Sequence, residues 1–125
     1  MPDADGRLAD EGFQRVVILH HPPVAGAVVG RKKLSDQEAF RAVLARRGAE
    51  LVLHGHAHEA LVATVPGPDG AAIPVLGVPS ASARGTLGRP AARWHLIEVE
   101  EDRSIRVVAR GLEDGVITEL GRFSL

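Results

Sequence analysis

A chain of 125 residues is long enough for one hydrophobic core and too short for two full domains. With 45% hydrophobic and 25% charged residues it is an ordinary globular composition, which excludes a disordered or fibrous chain, and the absence of cysteine excludes disulfides, iron–sulfur clusters and thiol catalysis. Fifteen Lys and Arg against sixteen Asp and Glu give a net charge of -1, so no broad basic field is available and neither nucleic acid nor a membrane is an expected partner.

Residues 1–14 read as an N-terminal tail. They are acidic where a secretory signal would be basic and then apolar, and no run of about eighteen apolar residues comes after them, so the expectation is a cytoplasmic location. Val16-Val17-Ile18-Leu19 is a β-branched run without alternation, the pattern of a strand covered on both faces. It ends at His20-His21-Pro22-Pro23, where two prolines take the chain out of any sheet. A loop from Val24 to Leu34 with the basic triplet Arg31-Lys32-Lys33 leads to Ser35, which with Glu38 forms a capping box. A helix is therefore expected at about 36 to 47, with Phe40, Val43 and Leu44 on one face and Gly48 as its stop.

The second apolar strand, Glu50-Leu51-Val52-Leu53, also runs into histidine, at His54-Gly55-His56-Ala57-His58. Strand, helix and strand in this order make the two strands parallel, so both deliver their C-terminal ends to one edge of the sheet. Ligands sit at that edge in open α/β sheets. From Leu61 the pattern changes to β segments with turns: Leu61 to Val65, the turn at Pro68-Asp69-Gly70, Ile73 to Val78, Arg93 to Glu100, Ile105 to Arg110 and a last strand at Val116 to Leu120. Leu96, Val99, Ile105 and Val107 are expected on an inner face. The fold class is α/β, one β-α-β unit followed by a C-terminal antiparallel sheet, in a single domain divided into the tail (1–14), the β-α-β unit (15–60) and a β-rich region (61–125).

Five of the six histidines fall in two windows, each at the end of a predicted parallel strand. In an extended segment His56 and His58 share a face, so they can ligate one ion or two neighbouring ones. Other features weigh less. The basic triplet reads as a solvated loop, Ser80 and Ser82 lack a GxSxG setting, Trp94 reads as core, and Gly67 to Gly70 is a turn with no helix after it.

The segment from Val17 to Pro23, with Gly55-His56-Ala57-His58 about thirty residues later, resembles the last two sequence blocks, HxP and GHxH, of the calcineurin-like metallophosphoesterase family. Ile73 to Ser82, reading IPVLGVPSAS, is similar to the segment after GHxH in bacterial members. The resemblance implies a partial metallophosphoesterase-type α/β sandwich and a hydrolase of phosphomonoesters or phosphodiesters, acting through a hydroxide activated by two metals. It implies His20, His56 and His58 as metal ligands, with His21 and His54 behind them or facing substrate. The implied cofactors are divalent Mn, Fe or Zn.

The family's DxH, GDxxD and GNHD or GNHE blocks have no counterpart in residues 1–15, and the chain contains no asparagine. The chain is therefore expected to be the C-terminal half of a phosphoesterase domain, with little activity alone. Two ions are expected in the complete site and at most one here, since three neutral imidazoles do not offset the repulsion between two cations. The expected partners are a phosphate-ester substrate and either the missing N-terminal half or further copies of the chain. The alternative is a noncatalytic metal-binding or assembly module that keeps the fold. A cupin-like barrel is disfavoured by the capped helix.

Overall fold

The computed structural model describes residues 4–24, 36–55, 61–86 and 89–125, which divide into two compact units, one formed by residues up to 55 and 61–77, the other by 78–125. The first begins with a short helix, α1 (Ala4–Asp10), in the segment expected to be a tail. Gly12, at φ 83°, stops it: the Gly12 and Phe13 amides donate to the carbonyls of Ala9 and Leu8, both at 3.0 Å. This is the left-handed glycine stop that satisfies the last carbonyls of a helix.

Strand β1 (Val16–Leu19) and strand β2 (Leu51–His54) pair in parallel, with helix α2 (Gln37–Arg47) between them in sequence. Gly48, at φ 75°, ends α2 as expected and donates its amide to Leu44. At the other end Ser35 lies outside the described residues. Asp36 occupies the cap position without a side-chain hydrogen bond, so the helix begins one residue later than the sequence suggests.

The hairpin of β3 (Leu61–Pro66) and β4 (Ala72–Gly77), joined by the expected turn at Pro68–Gly70, completes a four-stranded sheet in the order β1-β2-β4-β3. Residues 61–77 thus extend the β-α-β sheet instead of joining the C-terminal one. β4 runs parallel to β2, with Val52 opposite Val75 and His54 opposite Gly77. One face of this sheet, carrying Val52, Val65, Ile73 and Val75, packs on Leu44 and Ala49, with Phe40, Val17 and Leu19 against the same cluster. Val43 is exposed, so the apolar stripe of α2 is narrower than expected.

β1 lies at the sheet's edge and is not covered on both faces: Ile18 is 76% exposed and Val16 is also exposed. β-branching reports a strand but not how many layers will cover it.

The second unit is antiparallel. β5 (Arg84–Thr86) pairs with β6 (Arg89–Ala91), a hairpin the sequence did not suggest, and β7 (Arg93–Val99), β8 (Ile105–Glu113) and β9 (Val116–Ser124) form a three-stranded meander. Ile105, Val107 and Val108 are buried. Leu96 and Val99, expected beside them, are exposed, and Leu96 pairs with Val108 on the face opposite Val107. The architecture is α/β, a mixed sheet with a helix on one face and a separate antiparallel sheet. Among the described residues no helix is long and apolar enough to cross a membrane.

Candidate functional site

β1, β2 and β4 are mutually parallel, so their C-terminal ends, at Leu19, His54 and Gly77, reach the same edge of the first sheet. One more rung extends the β1–β2 ladder: the Gly55 amide donates to the His20 carbonyl at 3.2 Å. His20, the first residue of HxP, and Gly55, the first of GHxH, therefore stand side by side at the end of the sheet.

His20 is exposed at this edge and His21 is half-buried. Their rings meet edge to face, with centroids 4.9 Å apart. Pro22 and Pro23 are fully buried and carry no amide hydrogen, so the turn cannot satisfy its own carbonyls. The side chain of Gln37, 4% exposed at the start of α2, does so instead: its Nε2 donates to the carbonyls of Pro22 at 3.2 Å and Val24 at 3.0 Å.

His54 is 4% exposed and on the same face as the core. Its Nδ1 lies 3.1 Å from the Gly55 carbonyl, which can only accept, so Nδ1 carries the proton. Nε2 is then a buried lone pair, with no hydrogen-bond partner among the described residues. Burial holds the imidazole below its ordinary pKa, partly offset by the bond to Gly55. His54 is consequently neutral at pH 7.

His56 and His58 lie outside the described residues, as does the Arg31-Lys32-Lys33 triplet. Of the three expected ligands the structure places His20, and among the described residues no three His, Asp or Glu side chains gather to hold a metal ion. In the second unit Ser80 and Ser82 hydrogen-bond each other at 3.3 Å, and Trp94 is half-buried. The depression lined by Glu100, Glu101, Asp102, Ser104, Arg106 and Ser124 is shallow and acidic, with Arg106 pairing with Glu100 and Asp102 accepting from Ser104.

Two residues that shape the strand ends are not apparent from the sequence: Gln37, which looks like any polar residue at a helix start, and Gly77, which looks like an incidental glycine at a strand end. The polarity of position 37 just before an apolar face is the only signal, and it does not distinguish a solvated residue from a buried donor.

No family model matches the chain. It is similar to a probable cyclic nucleotide phosphodiesterase of Synechococcus sp., with 32% identity over 106 residues. The match takes in 82% of this chain and 39% of that relative. The chain thus spans about two fifths of the length of the curated phosphodiesterase it matches.

Proposed function

We propose that this chain carries part of the site of a metal-dependent phosphoesterase of the calcineurin-like kind, with His20, His56 and His58 as ligands and a phosphodiester of the cyclic-nucleotide type as substrate. The observation that supports the reading is the rung between Gly55 and His20, which ties the first residue of the GHxH block to the HxP block at the ends of parallel strands. The likeness to a probable cyclic nucleotide phosphodiesterase supports the substrate class.

The donor set fits such ions. Imidazole suits zinc and iron, His20 is exposed where an ion can reach it, and His54 at the end of the neighbouring strand is buried. When bound, divalent ions supply charge neutralisation at the phosphoryl oxygens and activate the attacking water. His20 contributes a ring nitrogen from a turn fixed at both ends, and His21 beside it lies behind the ligands or faces substrate. The chain holds at most one ion by itself and has little turnover alone. The segment with the DxH, GDxxD and GNHD blocks supplies the rest and docks along the β1 edge.

Calorimetric titration with Mn or Zn tests the ligands: binding is expected in the full chain, with loss in His56→Ala and His58→Ala. Unchanged binding in those variants overturns the assignment. Hydrolysis of bis-p-nitrophenyl phosphate and of a cyclic nucleotide is expected only when a separately expressed N-terminal half is added.

The exposed Val16 and Ile18 on edge strand β1 favour a second reading, a noncatalytic module that assembles through that edge into homo-oligomers. Metal binding with no turnover in any mixture selects it.

A further inference from the structure

We infer that Gln37 is a positioning residue for His20 and His21, its side-chain amide holding in place the turn that presents them. The inference rests on the proposed role of His20 as a ligand and extends it to a residue outside both histidine segments.

A turn containing two successive prolines lacks two amide donors, and this one is buried at Pro22 and Pro23. A primary amide carries two hydrogens on one nitrogen, and Gln37 directs that nitrogen at two carbonyls, of Pro22 and Val24, from fifteen and thirteen residues away. Val24 and Phe40 pack on the same apolar cluster, so the turn is held from the core side as well. The rung between Gly55 and His20 fixes where the turn begins, and Gln37 fixes where it ends. The direction in which His20 leaves β1 is thereby set from both sides. Gln37 makes no contact with metal or substrate in this role; it acts through the backbone of the turn.

The test uses the full 125-residue chain and the variant Gln37→Met, which keeps the side chain's length and removes both donors. Ring resonances are recorded for His20 and His21, with His95 in the second unit as the internal reference. Zinc affinity is measured in the wild-type and His20→Ala backgrounds. The expected result is that His20 and His21 move while His95 stays, that zinc binds about tenfold more weakly, and that this loss vanishes when His20 is already absent. A purely structural role would weaken zinc equally in both backgrounds, and that result, or unmoved His20 and His21 resonances, overturns the inference.

If the wild-type chain binds no zinc while the two rings still move, the metal reading fails and the positioning stands. Should Gln37→Met not fold, the wild-type chain carries the test: on heating, the Gln37 side-chain amide signals must broaden together with the His20 and His21 rings. Independent broadening overturns the proposal.

Discussion

The imidazole of His54 rests against Gly77 in the space that a β-carbon would fill: a methyl group at position 77 would stand 2.8 Å from Nε2 and 3.2 Å from Nδ1. The two residues are opposite each other in the parallel β2–β4 pair. Glycine here makes room for a ring that is almost fully buried at the strand end, and the ring in turn donates to Gly55.

Gly77→Ala should therefore destabilise the chain by about 1–3 kcal/mol, the usual cost of overpacking a closed site. In a His54→Ala background most of that cost should disappear, because the clash partner is gone. Urea unfolding of the four proteins measures the coupling. Equal costs in both backgrounds would show that some other contact governs position 77.

The start of the β1–β2 ladder is held by a clasp. Arg15 donates from its backbone amide and Nε to Glu50 Oε2, from a terminal nitrogen to Oε1 at 2.8 Å and from the other to the Arg47 carbonyl at 2.7 Å. The Glu50 amide returns a bond to the Arg15 carbonyl at 3.0 Å. The two side chains are only 13% and 23% exposed, so salt should screen them weakly. Arg15→Ala is expected to cost about 1.5–3 kcal/mol, the range for hydrogen bonds to charged groups. Most of the difference from wild type should survive in about 1 M salt, where a Debye length of roughly 3 Å would screen an exposed pair. A difference that collapses with salt would place the pair on the surface in energetic terms.

Ile18, exposed on the edge strand, is a site where charge should be tolerated. Ile18→Lys is expected to change unfolding free energy by less than about 0.5 kcal/mol and to reduce concentration-dependent association in sedimentation velocity, since edge lysines oppose strand pairing. Association unaffected by the substitution would assign it to another surface.

His95 lies on β7, edge to face with Phe123 at 6.3 Å. Burial holds its imidazole below the ordinary pKa, and the Arg93 charge on the same strand adds to this. The unfolded chain then takes up the proton more readily than the folded one. Stability is full above the ordinary histidine value of about 6.5 and falls as pH drops through and below it. His54 is depressed by burial in the same sense. His95→Gln should flatten part of the decline that sets in as pH falls through about 6.5, read from urea midpoints. An unchanged slope would mean that His95 titrates alike in both states.

The strand-helix-strand order, the Gly48 stop and the arrival of His20 and His54 at one sheet edge were legible in the sequence because each depends on local signals: apolar runs, proline breaks and a glycine in left-handed backbone. Parallel pairing followed from the connection alone. The hidden features are nonlocal. Whether β1 is central or at an edge depends on what else pairs with it, and Val16 and Ile18 read the same either way. The β3–β4 hairpin was recognisable, but its allegiance to the first sheet was decided by Val52 meeting Val75 across a long sequence gap.

The candidate site divides in the same way. The identities and spacing of the six histidines are properties of the chain alone. That His54 is sunk against Gly77, that Gly55 bonds to His20 and that Gln37 caps two carbonyls of a proline turn were decided by tertiary structure. A buried donor or a missing β-carbon acquires meaning only when a distant segment is packed against it. Residue type tells what a side chain can do, and the packed fold determines which neighbour it does it to.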